Sequence, residues 1–367
     1  MSQTKAKTVK ERAVYKTVSL RPYTMLSTSV HTRLYFMFGV LLVQLLMLFL
    51  TKSWDALSVI VCTVLATLLA ETSELARKRH RVFNYLHSLC EGIIIGFFIP
   101  SSYPLISVFF ITLCISLVCR WMLCGYPNNW VNPIALTVAV CWLIGMNQFP
   151  LFTLTPVVLQ AKNPSALLLE NGTFPVLPFD AAFTSFCNQK LFSLFNVSVP
   201  EGFISLLWDT QAVIPAFRFN ALTLLSSIVF IAFDVLSPLI PAVFLFVYLL
   251  LVRFLAPVFY GGIFGQGDML LALCTSGTLF STLFLLQWTG TTPQLQFGKI
   301  CYAVGAGIIA FLVVGCGVSS AGTVFSILVL NVISSMIQAA ETLYADHCIQ
   351  TVQVPKCVAL QKEGIHA

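Results

Sequence analysis

The chain alternates long charge-free apolar runs with short polar breaks. The runs cover residues 34–50, 56–70, 103–119, 132–147, 219–233, 235–252, 269–289 and 300–340. A bilayer core is spanned by about 20 apolar residues in a helix. With no water there to satisfy backbone groups, the helix is the form such runs take. The last run is long enough for two helices, with Gly315, Gly317 and Gly322 marking the bend between them. Residues 89–100 form a shorter run that carries Glu91, Gly92 and Gly96, which predicts a broken or re-entrant helix. The pattern predicts an all-α polytopic membrane protein with about ten crossings, five on each side of a polar insert. Its parts are a basic N-terminal segment (1–33), a first transmembrane half (34–150), an extracytoplasmic cap (151–217), a second half (218–344) and a tail (345–367).

Composition agrees with a bilayer: 58% of the residues are apolar and 9% charged, against about a quarter charged in soluble domains. Lys and Arg flank the runs unevenly. With the N-terminus inside, fifteen fall on the inner side and five on the outer, which predicts both termini in the cytoplasm. The net charge of +6 then reads as topology, and no nucleic-acid partner is needed. Residues 1–33 lack the short apolar core of a secretory signal, so the first helix is expected to act as the insertion signal. The twelve cysteines are scattered without CxxC or zinc spacing. Cys119 and Cys124, near the inner face, read as small apolar fillers in preference to iron ligands.

The insert at 151–217 contains Pro156, Pro164, Pro175, Pro178, Pro200 and Pro215, which break regular elements. A loop of this length is uncommon unless functional or disordered, and its Phe, Leu and Val content argues for an ordered cap. The halves show weak internal similarity. The run from Glu91 through Gly92 and Gly96 to Pro104 has a counterpart from Ser276 and Gly277 to Pro293. By the topology above they run in opposite directions, as an inverted repeat requires, and such repeats often place an ion site near the midplane. Glu91, Gly92, Gly96, Ser276 and Gly277 are therefore the ion-pathway candidates. Taken singly, the glycines read as close helix packing, and the paired arrangement reads as function.

Ionisable groups inside a membrane are costly and are functional candidates by default. Glu91 is the best of them. Asp234 and Asp268 lie at helix boundaries, Arg218 and Arg253 are placed to snorkel, and Asn331 is expected to make an interhelical hydrogen bond. The five histidines lie near the inner surface, none with an acidic residue at metal spacing. There is no Walker loop or dinucleotide fingerprint. No catalytic side chain and no metal site are expected, so any redox chemistry has to come from a bound cofactor.

The block Cys124-Gly-Tyr-Pro-Asn-Asn-Trp-Val-Asn-Pro133 resembles the Asn- and Gly-rich signature of the D subunit of Rnf-type electron-transport complexes. The B subunit of the sodium-translocating NADH:quinone reductase shares that signature. Glu91-Gly-Ile-Ile-Ile-Gly-Phe-Phe-Ile-Pro100 and the stretch from Gly267-Asp-Met to Phe284 resemble two further segments of the family. The likeness runs from Ser27 to Tyr344.

The resemblance implies a five-plus-five inverted-repeat fold in the bacterial inner membrane. It implies partner subunits of an Rnf/Nqr-type complex, and FMN bound to a Thr of the outer loop by a flavin transferase. The matching segment is Asp180-Ala-Ala-Phe-Thr-Ser-Phe-Cys-Asn188, so Asp180, Thr184 and Ser185 form the FMN attachment region. Cys187 stands where the acceptor Thr of the motif belongs. Asn128 and Asn132 are the other cofactor-binding candidates. The function so implied is that of a membrane subunit of a redox-driven Na⁺ or H⁺ pump passing electrons through bound flavin, with no activity alone. The alternatives are an inverted-repeat channel or transporter for a small solute without flavin, and a structural scaffold of the complex.

Overall fold

The computed structural model describes residues 29–78, 83–123, 129–150, 154–155, 157–161, 164–171, 176–190, 192–195, 201–208, 212–288, 290–315 and 318–351. Residues 124–128, with Cys124 and Asn128, and Gly317 lie outside the described residues.

The first half supplies α1 (Val30–Leu50), α2 (Trp54–Lys78), α3 (Phe83–Phe98), α4 (Leu105–Trp121) and α5 (Pro133–Ile144). The cap holds α6 (Pro164–Glu170) and α7 (Pro178–Lys190) with several single 3₁₀ turns. The second half supplies α8 (Asn220–Ala232), α9 (Leu239–Phe254), α10 (Ala256–Tyr260), α11 (Met269–Cys274), α12 (Thr278–Phe284), α13 (Gln296–Val314) and α14 (Gly322–Thr351). No strand occurs among the described residues. The protein is thus an all-α, multi-pass membrane protein. The bend expected in the last apolar run is present, with Gly315 ending α13.

Length along the bilayer is uneven. Within α1, α2, α13 and α14 there are apolar stretches of 19 to 26 residues, enough to cross alone. The other apolar helices run 10–17 residues, below the roughly 20 a bare span needs. Short helices and irregular backbone are tolerated at membrane depth where protein surrounds them. All seven residues of α12 are buried.

The break expected in residues 89–100 is not there. Helix α3 is continuous through Glu91, Gly92 and Gly96 and ends at Phe98, two residues before Pro100. The interrupted helix is in the second half, where Thr275–Gly277 separates α11 from α12 and Gly277 adopts φ +65°. A side chain there would also run into the Phe217 ring.

Gly92 and Gly96 have a packing role. A Cβ on Gly96 would lie 2.7 Å from Ile60 Cα, and one on Gly92 would lie 2.7 Å from Val64 Cα. Close approach of this kind is how helices associate in a membrane, where apolar surface gives no drive by itself. The gap is bridged by hydroxyls: Thr63 Oγ1 donates to the Gly92 carbonyl at 2.8 Å, and Thr67 Oγ1 to the Ser88 carbonyl at 2.9 Å. Because the contact is backbone against Cβ, it has no flexible end to yield. Gly96→Ala is expected to cost about 1–3 kcal/mol, read as a lower thermal midpoint in detergent. Gly39→Ala, which meets nothing within 4 Å, is expected to leave the midpoint unchanged or raise it.

The halves meet on aromatic rings. Phe97 and Phe98 of α3 each sit 5.3 Å from Phe280 of α12, which lies 4.5 Å from Phe284. Phe230 of α8 completes the group 6.0 Å from Phe284. All five are essentially inaccessible. The rings stand less than two helical turns beyond Glu91 on α3 and about one turn beyond Gly277 on α12.

Candidate functional site: a buried charge cluster between α2, α3 and α4

Residues 87, 88 and 91 share one face of α3 by helical spacing. They face Glu71 on α2 and Arg120 in the last turn of α4, where the helix end itself favours a cation. Glu71 and Glu91 are each 3% exposed and Arg120 8%. The guanidinium is the hub. Its Nη2 donates to Glu91 Oε2 at 3.1 Å and to Ser88 Oγ at 2.9 Å; Nη1 donates to the Thr67 carbonyl at 2.9 Å. Nε lies 3.5 Å from Glu71 Oε2, and Ser88 Oγ also donates to that oxygen at 3.0 Å. His87 Nδ1 is 3.9 Å from Glu91 Oε2.

Among the described residues two carboxyl groups share one guanidinium, so with both ionised and the imidazole neutral the set would carry one negative charge. Glu71 Oε1 is buried and has no hydrogen-bond partner among the described residues. An uncompensated buried charge is strongly disfavoured, so the cluster is built to take up one more positive charge.

A cavity of about 40 Å³ approaches the cluster from the side where α1 begins. Arg33, Leu34 and Met37 of α1 line it, with His87, Gln287 and Trp288. The His87 ring packs 5.1 Å from Trp288.

Several sequence expectations change here. Glu91 is buried and sits in mid-helix, not at a helix start. Arg120 is not a flanking positive charge: it is buried at the centre of the cluster. His87 is not a surface histidine, being 5% exposed beside Glu91. Glu71 carried no sequence signal beyond being an acid in an apolar helix. Arg218 does not snorkel; it is 7% exposed, and donates from Nε to the Ala212 carbonyl at 2.7 Å and from Nη1 to Ser53 Oγ at 2.6 Å. Asn331 is 1% exposed, and neither of its polar side-chain atoms has a hydrogen-bond partner among the described residues, so the expected interhelical bond is not seen. Asp268 caps α11 and also accepts from Ser165 N–H at 3.0 Å.

The remaining candidates have local roles. Asn132 caps α5, accepting from Ile134 N–H and Ala135 N–H, and its amide donates to the Leu285 carbonyl at 3.3 Å, tying the halves together. Ser276 donates to the Ala272 carbonyl at 3.3 Å and pairs with Thr278 at 2.6 Å, closing the break between α11 and α12.

Asp180, Thr184 and Ser185 do come together on α7, but as a structural knot. Asp180 is fully buried and accepts from Thr184 Oγ1 at 2.8 Å and from both Ser205 N–H and Ser205 Oγ at 2.7 Å. Burial pushes its carboxyl up, but the hydrogen bonds from Ser205, Thr184 and Gly202 outweigh that and hold it below the ordinary range. Ser185 Oγ donates within its own helix to the Ala182 carbonyl at 2.9 Å. The phosphodiester that would join FMN to Thr184 would put a negative charge against the Asp180 carboxylate and would need room at a residue only 6% exposed. The buried Thr184 hydroxyl does not fit a covalent FMN. Among the described residues no group of His, Cys, Asp and Glu forms a metal site.

No curated protein matches the chain. Residues 17–343 match the model of the NQR2, RnfD, RnfE family. With nearly the whole length covered, the chain belongs to the NQR2, RnfD, RnfE family.

Proposed function

We propose that the chain is an ion-conducting membrane subunit of a redox-driven Rnf/Nqr-type pump, working in the bacterial inner membrane with both termini cytoplasmic. The single observation that carries the proposal is the pairing of two buried carboxylates with one guanidinium. A charge-deficient site of this kind binds and releases one cation without leaving the membrane interior bare, which a purely structural pair would not need. The aromatic cluster beyond Glu91 supports the reading, since a pump must close its path between the two sides. Family membership supports the complex, and the partner subunits would supply the electrons.

The flavin part of the reading is narrower. The resemblance implies FMN, yet Thr184 is buried in the Asp180 knot and Cys187 stands in place of the motif's Thr, so we assign any flavin to a non-covalent site or to a partner subunit and route no step through it.

The test uses the whole complex in proteoliposomes and the chain alone. The complex is expected to take up cation only with reductant, the chain alone to pass none, and the denatured chain to give a dark band under ultraviolet light after coexpression with a flavin transferase. Reductant-independent flux through the chain alone would instead make it a channel for a small solute. A fluorescent band lost in Thr184→Ala would restore covalent FMN.

A further inference from the structure

We propose that His87 is the residue that selects the proton as the ion reaching Glu91. The inference rests on the reading of the charge cluster as an ion path and adds which ion it passes.

The approach to the cluster carries the argument. The cavity beside α1 meets the cluster at His87, not at a carboxylate: His87 lines it, and Glu71 and Glu91 do not. Alkali cations are held by oxygen ligands, whereas an imidazole nitrogen takes a proton or a soft or borderline metal. Gln287 is the one lining side chain with an oxygen, and that oxygen already accepts from the Ser237 N–H at 3.1 Å. A dehydrated Na⁺ therefore meets no lining side chain whose oxygen is without a hydrogen bond. A proton needs only the ring.

The surroundings of His87 fit a relay. Glu91 is one turn along the same helix with Oε2 3.9 Å from Nδ1, which a small side-chain movement or one water brings to transfer distance. From α4, Arg120 holds that same carboxylate oxygen at 3.1 Å; from α2, Glu71 lies on the far side of the guanidinium at 3.5 Å. Trp288 packs on the ring from the second half. In the transfer one imidazole nitrogen gains a proton from the cavity while Nδ1 gives its proton to Glu91 Oε2. The ring ends neutral, Glu91 ends as the carboxylic acid, and Glu71 with Arg120 remain as a balanced pair. The cluster then carries no net charge.

The experiment is reductant-driven transport by the reconstituted complex, in sodium medium and in sodium-free choline medium, with wild type, His87→Ala, His87→Gln and Glu91→Gln. The expected result is proton uptake that persists in choline and collapses with a protonophore. His87→Ala is expected to slow it on the order of 100-fold, with partial recovery when free imidazole is added to fill the vacated ring site, a rescue that a merely structural role would not give. His87→Gln reads the same loss if the alanine variant does not assemble. Uptake that requires sodium, resists protonophore, fails in Glu91→Gln and survives both His87 variants would overturn the selection by His87 while keeping the ion path. Undiminished transport in Glu91→Gln would remove the path itself, and His87 with it.

Discussion

Arg120→Met is expected to destabilise the protein by about 3–5 kcal/mol, because it leaves two buried carboxylates facing each other without a counter-charge. The same change strips the Thr67 carbonyl and Ser88 Oγ of their 2.9 Å donors. Glu71 and Glu91 would respond by taking up protons, which recovers part of the loss and makes the variant more stable in acid than in base. The measurement is the thermal midpoint of the purified chain in detergent as a function of pH. Removing all three charges together, in Arg120→Met with Glu71→Gln and Glu91→Gln, is expected to return most of the stability, since a neutral set of similar volume needs no pairing. Arg253→Met is the comparison: that side chain is exposed and donates to the Gly267 carbonyl at 3.1 Å, so its loss is expected to stay within about 0.5 kcal/mol. An Arg120→Met midpoint equal to wild type would mean that the guanidinium does not hold the cluster.

The helical architecture was legible from the apolar runs because membrane insertion reads one-dimensional hydropathy, and each expected run is helical, the run at 269–289 as the two short helices α11 and α12. The bend in the last run was legible too, since Gly315 stops α13. What failed was the expectation that residues 89–100 form a broken or re-entrant helix. A glycine allows a break but equally allows contact, and the deciding partners, Ile60 and Val64, lie about 30 residues away on α2. The real interruption, at Gly277, is marked by the Thr275–Thr278 hydroxyl cluster that closes it. Glu91 stood out because it is an acid in an apolar run. Its partners did not, because Arg120 at a helix end satisfies the rule for topology as well as a buried role does. His87 and Glu91 are four residues apart, so their shared face was readable from spacing, but only if residues 83–98 were seen as one continuous helix. In the cap, the distance between Asp180 and Ser205 in sequence hid the knot that occupies Thr184.

The second large effect falls on function. Glu91→Gln keeps the size of the side chain and an oxygen to accept from Arg120, but it can neither carry the negative charge nor take a proton. The remaining Glu71 and Arg120 become a balanced pair, so the protein is expected to fold and to assemble with its partners. Electron transfer by the complex is expected to continue, while the cation moved per electron falls on the order of 100-fold. Glu71→Gln removes the other carboxylate and is expected to lower the same ratio. The most direct test of the account is therefore the ratio of cation uptake to electron flow in proteoliposomes carrying the complete complex with Glu91→Gln. A ratio near zero with electron flow intact is the expected result; a ratio equal to wild type would contradict the placement of the ion path through the α2, α3 and α4 cluster.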